Sequence, residues 1–202
     1  MTDMWEFENK HMGEGYCSIC GVDEAGRGPL AGPVCAAAVI LPQNVEISGL
    51  NDSKKLSDKK RRELFPLICE HAIAYSIAFA DHKEIDELNI LQATYLAMER
   101  AIKGLQVKPD FALIDGNRAK EFGIPLETIV GGDGRSASIA AASILAKVTR
   151  DDYMLKMAEL YPEYGFEIHK GYGTKAHYSA LREYGACTIH RMSFLKKFYG
   201  TK

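Results

Sequence analysis

The 202-residue sequence lacks long apolar runs and a surplus of either charge. Its longest apolar stretch, residues 34–41 (VCAAAVIL), is far shorter than the roughly 18 residues of a membrane-spanning helix. The formal net charge of −2 argues against general electrostatic binding of nucleic acid, although a basic cluster lies between positions 54 and 62. With 47% hydrophobic and 26% charged residues, the chain has the composition of one globular domain.

Cysteine is also scarce, and its count is odd. Five cysteines make a poor disulfide framework. Cys17 and Cys20 form a CxxC pair, but no second pair or His-x-x-x-His spacing completes a zinc site. The first residues, MTDMWEFE, are acidic and lack the basic-then-apolar order of a signal peptide. We therefore expect a cytoplasmic protein with reduced cysteines.

Residues 19–33 (ICGVDEAGRGPLAGP) carry the densest chemical signal. Asp23 and Glu24 follow an apolar run that predicts a buried strand, so within a strand they would face opposite sides. They can serve one site only if the strand ends there and the chain bends, which Gly26 and Gly28 permit. Arg27 between these glycines suits a phosphate. The alternative is a solvated acidic turn.

Short apolar runs alternate with helical periods along the rest of the chain. Strands are predicted at 17–24, 34–41, 72–80, 111–114 and 125–130. Helices are predicted from Ser57, over 82–104 with a break at Asn89, and from Ser136 to about Leu160. The first two strands are joined by too short a link for a crossover helix, so we expect them to be antiparallel. This order predicts an α/β fold with five strands.

The same pattern predicts the domain organisation. Residues 1–160 form the core, in which residues 1–15 are a loosely held arm or short helix. From Tyr161 onward Gly, His, Lys and Tyr are enriched, and residues 161–202 are predicted to form a smaller helical C-terminal lobe.

Aspartates recur where predicted strands end. Asp23, Asp115 and Asp133 each follow a strand-like run and precede glycine or Ala-Gly. Ligands of open α/β sheets lie beyond the strand ends, so these residues could converge with Glu24. Four carboxylates would repel one another without a cation, and oxygen ligands alone favour Mg²⁺ or Mn²⁺. The alternative is that each aspartate only forms a turn.

Taken together, the motifs resemble those of bacterial type 2 ribonuclease H. The matching blocks are residues 21–28 (GVDEAGRG), 51–57 (NDSKKLS), 114–117 (IDGN), 131–151 (GGD…IAAASILAKVTRD), 169–177 (HKGYGTKAH) and 189–194 (IHRMSF). They follow the family's order over roughly residues 19–194. The resemblance implies a ribonuclease H-like fold with a mixed five-stranded sheet flanked by helices, and a C-terminal helical lobe, residues 161–202, that completes the substrate-binding groove.

The resemblance also implies a reaction. The family cuts the RNA strand of RNA–DNA hybrids and cuts on the 5′ side of single ribonucleotides in duplex DNA, leaving 5′-phosphate and 3′-hydroxyl ends. By this likeness Asp23, Glu24, Asp115 and Asp133 would be the catalytic residues and would hold two divalent ions, Mn²⁺ or Mg²⁺. One ion would activate the attacking water, and the other would stabilise the leaving 3′-oxygen.

The substrate residues are likewise implied by the family. Gly26, Arg27 and Gly28 would recognise the ribose 2′-hydroxyl and its phosphates largely through backbone groups. Tyr172 would stack on the sugar that follows the ribonucleotide, and Lys54 and Ser143 would contact phosphates. The likeness suggests a monomer with no membrane partner; no protein partner is predicted.

Two other functions stay open on the sequence. Another nuclease or strand-transfer enzyme of the same fold would use similar carboxylates, but it would have no need of a 2′-hydroxyl sensor and would cut all-DNA duplexes. A non-catalytic hybrid-binding module would bind without turnover, although the four intact carboxylates count against it.

Overall fold

A five-stranded mixed sheet forms the centre of the computed structural model, which describes residues 3–50 and 53–200. The strands are β1 (Ile19–Ala25), β2 (Val34–Ile40), β3 (Ala74–Ala80), β4 (Phe111–Asp115) and β5 (Leu126–Ile129). Their order is β3-β2-β1-β4-β5. The β1–β2 and β2–β3 pairs are antiparallel, whereas β1–β4 and β4–β5 are parallel. The predicted sheet and its antiparallel first pair are confirmed.

Helices surround this sheet and continue beyond it. They are α1 (Glu6–Gly13), α2 (Asp58–His71), α3 (His82–Leu88), α4 (Ile90–Lys103), α5 (Ala137–Leu160), α6 (Phe166–His169), α7 (Lys175–Tyr184) and α8 (Met192–Tyr199). The hydroxyls of Ser57 and Ser136 accept from the third backbone N–H beyond them, at the starts of α2 and α5. Asn89, at a φ of 69°, separates α3 from α4 as predicted.

Strand β2 shows how the sheet is covered on both sides. Its seven residues are all buried. Even-numbered positions pack against α4, and odd-numbered positions pack against α2 and α5, because side chains alternate across a strand. This burial on both faces explains why the segment is a continuous apolar run rather than an alternating one.

Helix α5 lies directly on β1, the strand that carries Asp23. Gly21 makes this possible, since a Cβ atom there would stand 2.1 Å from the carbonyl carbon of Ser138. The alanines of the first half of α5 have no exposed surface and keep the helix close to the sheet. The small side chains therefore set the depth at which α5 lies below the site.

The C-terminal helices have their own apolar cluster. Phe166, Leu181 and Leu195 pack there with Leu30 and Met154, which come from the β1–β2 connection and from α5. This cluster joins the C-terminal segment to the glycine-rich loop after β1. The proposed division of the chain at residue 160 stays a prediction.

The N-terminal segment and the cysteines were also subjects of prediction. The N-terminal segment forms α1, and its buried Phe7, Glu8 and His11 show that this helix is packed against the rest of the protein. The five cysteines are free, with Cys17 exposed and Cys20 buried. In the part of the chain that the structure describes, no helix could cross a membrane.

Candidate active site

Asp23 and Glu24 lie near the end of β1, at the middle of the sheet. Strand β1 ends at Ala25, one residue beyond its predicted end, and Gly26 follows with a φ of 100°. The parallel pairing with β4, however, ends at Val22. On the β4 side of β1, Asp23 and Glu24 therefore lie beyond the last paired residue. Both side chains line one cavity, as the sequence analysis required of residues that serve one site.

Asp115 and Asp133 approach from the neighbouring strands. Asp115 is the last residue of β4, and its Oδ1 accepts from the backbone N–H of Gly132 over 2.7 Å. Asp133 lies in a short 3-10 turn, Gly132–Gly134, that follows β5, and it is buried there. The Gly132 bond therefore links two of the predicted carboxylate positions. Asn51 and Asp52 of the neighbouring polar motif lie outside the described residues.

The carboxylates influence one another electrostatically. Burial raises the pKa of Asp23 well above its usual value, and the negative charges of Glu24, Asp115 and Asp133 raise it further. The backbone N–H of Glu24, which donates to Asp23 Oδ1 over 2.7 Å, acts in the opposite direction. Burial also raises the pKa of Glu24, although Arg27 opposes the rise. The other three carboxylates therefore make Asp23 harder to ionise.

The ammonium group of Lys54 lies close to these carboxylates. Lys54 Nζ lies 3.1 Å from Asp133 Oδ2. Burial alone would lower the pKa of Lys54, but its hydrogen bond to Asp133 and the charges of Asp133, Asp23 and Asp115 outweigh burial and raise it. An ammonium group attracted by three carboxylates shows that this region suits a positive ion.

The donor set fits a hard divalent ion. All four side chains offer carboxylate oxygens, the ligands that Mg²⁺ and Mn²⁺ prefer. In the arrangement described for residues 3–50 and 53–200, no three His, Cys, Asp or Glu side chains are close enough to hold a metal ion. Unscreened carboxylates repel one another, so binding requires them to draw closer around the ion.

The loop after β1 is fixed from below by Arg191. This guanidinium has no exposed surface, and it donates to three carbonyl oxygens: Gly26 at 2.6 Å, Arg27 at 2.9 Å and Gly32 at 2.8 Å. In a trans peptide the C=O and the following N–H point in opposite directions. The N–H groups of Arg27 and Gly28 are therefore directed away from Arg191. Burial lowers the pKa of Arg191 to about 9.

Arg150 of α5 fixes the same loop further along. It is 1% exposed, and its guanidinium donates to Pro33 O at 3.1 Å, Ala31 O at 3.3 Å and Lys170 O at 3.2 Å. A Cβ atom on Gly26, which has a φ of 100°, would stand 2.0 Å from Arg150 Nε. Position 26 therefore requires glycine for its conformation and for its space.

Tyr172 meets the glycine-rich loop from the C-terminal segment. It is 46% exposed, and a Cβ atom on Gly28 would lie 3.5 Å from its ring. The main chain at Tyr172 is anchored by a line of buried groups. Cys187 N donates to His190 Nδ1 (3.0 Å), so the other ring nitrogen of His190 faces His177 Nε2 as the donor (2.9 Å). His177 Nδ1 then donates to Tyr172 O over 2.9 Å.

The other two predicted substrate residues line the cavity of Asp23 and Tyr172. Lys54 follows Ser53, whose carbonyl accepts from Arg61 Nη1 over 2.9 Å. Ser143 lies on α5, buried beneath the carboxylates, and its hydroxyl donates to Ala140 O over 3.0 Å. Arg27 faces a second cavity, which it shares with Glu24 and Asp115. The structure thus gathers all ten predicted residues around the end of β1.

Sequence reasoning missed several residues that shape this region. Arg150 and Arg191 belong to motifs that were recognised, but no role was predicted for them. Arg61, Lys147, Asn117 and Arg118 also line the two cavities. No local signal identifies these two arginines, since Arg150 directly precedes Asp151 and Asp152 like an ordinary surface ion pair, and the carbonyl partners of both leave no mark in the sequence. Asp152, which follows Arg150 and Asp151 on α5, pairs with Arg62 of α2 over 2.7 Å and is not part of the site.

Comparison with known proteins gives a consistent result. The family model described as Ribonuclease HII matches residues 20–197. A Ribonuclease HII from Caldicellulosiruptor bescii is 55% identical over 192 residues, covering 95% of this chain and 93% of the relative. The ribonuclease H2 structure from Pyrococcus horikoshii has a TM-score of 0.72 at 27% identity, covering 88% of this chain and 93% of the other.

Two further structures extend this comparison. The ribonuclease HII of Archaeoglobus fulgidus, solved in complex with PCNA, has a TM-score of 0.73 at 25% identity, covering 87% of this chain and 94% of that one. A ribonuclease HIII in complex with Mn²⁺ has a TM-score of 0.60 at 18% identity, covering 83% and 63%, and shows the shared fold. The fold and the family match place the chain in the ribonuclease H-like class of nucleases. Within that class the chain belongs to the ribonuclease HII family, and it is an endoribonuclease.

Proposed function

We propose that this endoribonuclease hydrolyses the RNA strand of RNA–DNA hybrids and also cuts on the 5′ side of a single ribonucleotide embedded in duplex DNA. The products carry 5′-phosphate and 3′-hydroxyl ends. One observation carries the proposal: the carboxylates at the end of β1 lie beside a loop whose carbonyls are turned inward by Arg191. Acidic groups for catalysis thus adjoin backbone donors for an RNA-specific hydroxyl.

Asp23, Glu24, Asp115 and Asp133 are the residues that we propose as catalytic, as ligands of two divalent ions. When bound, such ions generate a nucleophile from water and stabilise charge on the leaving oxygen. The protein supplies the oxygen ligands and holds Asp115 through the Gly132 N–H. Lys54 screens Asp133 before binding. Both Mg²⁺ and Mn²⁺ suit these ligands.

The substrate groove follows from the same geometry. Gly26, Arg27 and Gly28 present backbone donors to the ribose 2′-hydroxyl and the adjacent phosphates, since that hydroxyl distinguishes RNA from DNA. The exposed ring of Tyr172, next to Gly28, stacks on the sugar after the ribonucleotide. Lys54 and Ser143 contact phosphates. We expect a cytoplasmic monomer whose substrates are RNA–DNA hybrids and ribonucleotide-containing duplexes.

The test is cleavage of a labelled DNA duplex that contains one ribonucleotide. Reactions with Mg²⁺, with Mn²⁺ and with chelator are compared, alongside an all-DNA duplex, a long RNA–DNA hybrid and the Asp23→Asn variant. We expect a metal-dependent cut on the 5′ side of the ribonucleotide, and no cut in the variant or in the all-DNA duplex.

Each other outcome changes a specific part of the proposal. Cleavage of the long hybrid alone would retain the nuclease but remove the junction role of Tyr172. Cleavage of the all-DNA duplex would contradict 2′-hydroxyl recognition and favour a DNA-cutting enzyme of the same fold. Binding of all substrates without any turnover would contradict catalysis.

A further inference from the structure

We propose that helix α1 holds the Asp133 loop (residues 130–136) in place for metal binding, and that Glu8 is its principal positioning residue. This inference rests on the proposed role of Asp133 as a metal ligand. Helix α1 precedes residues 20–197, which the family model covers, so the family match assigns it no role. The geometry instead shows that α1 contacts both ends of the Asp133 loop.

The C-terminal end of the Asp133 loop is bonded to Glu8. Glu8 Oε1 accepts from Ser136 Oγ over 2.6 Å, from Ser138 Oγ over 2.6 Å and from the backbone N–H of Ser138 over 3.0 Å. All three residues are at most 2% exposed. Ser136 also caps α5 by accepting from Ile139 N. Glu8 thus fixes the residue at which the loop ends and the helix begins.

The N-terminal end of the Asp133 loop is held through β5. Glu127 of β5 lies with its Oε2 2.8 Å from Lys10 Nζ and 2.7 Å from His11 Nε2, both on α1. Strand β5 ends at Ile129, just before the loop. One helix of eight residues therefore anchors the chain before and after Asp133.

Two more contacts connect α1 and its preceding residues with the end of the loop. The guanidinium of Arg135 lies over the ring of Phe7, 4.9 Å from its centroid. The backbone N–H of Ala137 donates to Met4 O over 2.7 Å. Asp133 is thus two residues from a position that α1 contacts directly.

Burying the Glu8 carboxylate costs free energy that an apolar side chain in the same space would not. In the described part of the chain, Glu8 Oε2 is buried without a hydrogen-bond partner. Burying a charged group costs free energy unless its bonds compensate, and here only hydroxyl and amide donors and the N-terminus of α5 do so. An apolar side chain would fill the volume but could not fix the rotation of Ser136 and Ser138. The carboxylate therefore fixes a geometry as well as filling space.

The proposal makes a measurable prediction about metal binding. Titration of Mn²⁺ into the full chain, followed by calorimetry without substrate, compares the wild type with Glu8→Ala, Glu8→Gln and Glu6→Ala. Glu6 is an exposed residue of the same helix and provides the matched control. We expect Glu8→Ala to weaken Mn²⁺ binding about 10-fold, the size of effect typical for partners that orient a metal ligand. Glu8→Gln keeps an oxygen acceptor and should bind more tightly than Glu8→Ala, whereas Glu6→Ala should match the wild type.

Thermal unfolding of the same variants separates positioning from stability. A folded Glu8→Ala protein with a lower Tm but unchanged Mn²⁺ affinity would overturn the proposal. If Glu8→Ala does not fold, Ser138→Ala removes one donor from the same carboxylate and should weaken Mn²⁺ binding to a smaller extent; unchanged affinity would again overturn it. Unchanged affinity in Asp133→Asn would remove Asp133 as a ligand and the inference with it. Failure of the wild type to cut the ribonucleotide duplex, with normal Mn²⁺ binding, would instead contradict the proposed function.

Discussion

Arg191 Nη2 donates to the carbonyl oxygen of Gly26 over 2.6 Å, although the two residues are 165 positions apart in the chain. This bond joins the C-terminal segment to the glycine-rich loop after β1. Because the carbonyls of Gly26 and Arg27 are both held by Arg191, the orientation of the N–H groups of Arg27 and Gly28 depends on a residue with no exposed surface.

We therefore expect Arg191→Lys to impair recognition of the ribonucleotide. A single ammonium group cannot bond three carbonyls in the geometry of the guanidinium. Misplacement of the loop by about 1 Å should lower cleavage of the single-ribonucleotide duplex on the order of 100-fold. The measurement is kcat/KM on that substrate, with Arg182→Lys, an exposed arginine of α7, as the control. Equal kcat/KM values for both variants and the wild type would show that Arg191 does not orient the loop.

Replacing Asp23 should stabilise the protein while removing its activity. The pKa of Asp23 is raised in the folded state, so ionisation of this carboxyl destabilises the fold. The loss of stability begins as pH rises above the ordinary carboxyl pKa. It is complete above the raised pKa. Asp23→Asn removes this penalty at neutral pH. In chelator at pH 7 we expect a gain on the order of 1 kcal/mol, about 2–4 °C in Tm for a chain of this size.

The control for that measurement is Glu159→Gln, an exposed carboxylate of α5. Its Tm should follow that of the wild type across the pH range. The difference between Asp23→Asn and wild type should shrink as pH falls below the raised pKa of Asp23 and vanish below the ordinary carboxyl value, where Asp23 is protonated in both the folded and the unfolded chain. A variant less stable than wild type at pH 7 would show that the acidic groups do not strain the metal-free fold.

The buried histidine pair predicts a loss of stability in acid. Burial, together with the nearby His177 imidazole, lowers the pKa of His190 from 6.5 to about 4. The unfolded chain then binds more protons than the folded one between these values, so stability is full above pH 6.5 and falls as pH drops toward 4. His190→Gln should show a shallower dependence of Tm on pH over this interval. His71→Gln, at an exposed position of α2, should retain the wild-type slope.

Tyr172 should matter most at RNA-to-DNA junctions. Removing its ring in Tyr172→Ala eliminates a stacking surface worth about 1–3 kcal/mol, so kcat/KM on the single-ribonucleotide duplex should fall about 5- to 150-fold. Tyr172→Phe keeps the ring and should stay near wild type. Tyr184→Ala, at a tyrosine 55% exposed, is the control. Equal losses on a long RNA–DNA hybrid would contradict a role specific to the junction.

Features set by neighbouring residues were predictable from the sequence. Ser57 and Ser136 begin helices and Asn89 divides one, because capping and positive φ depend on a few adjacent residues. The aspartates at strand ends could be recognised for the same reason. Their convergence also depends on the order of the strands in the sheet, which no local pattern specifies and which the sequence analysis did not predict.

Features set by distant partners were not predictable in this way. Arg150 and Arg191 donate to carbonyl oxygens more than 100 positions away in the chain. Because every residue has a carbonyl, the side-chain pattern does not indicate which carbonyls these arginines bind. Glu8 was likewise unremarkable in an acidic segment until its bonds to Ser136 and Ser138 were seen. The extent of β1 is also set by distant partners, since it pairs with β2 as far as Ala25 but with β4 only as far as Val22.

The contact of Gly21 with the start of α5 limits how the enzyme can adjust. A single methyl group at position 21 would collide with the backbone of Ser138, so helix and strand have no spare distance between them. An ion of different radius cannot be accommodated by sliding α5 across the sheet. At Asp23 and Glu24 of the proposed site, adjustment to different metals would therefore come from side-chain rotation and not from movement of β1 against α5.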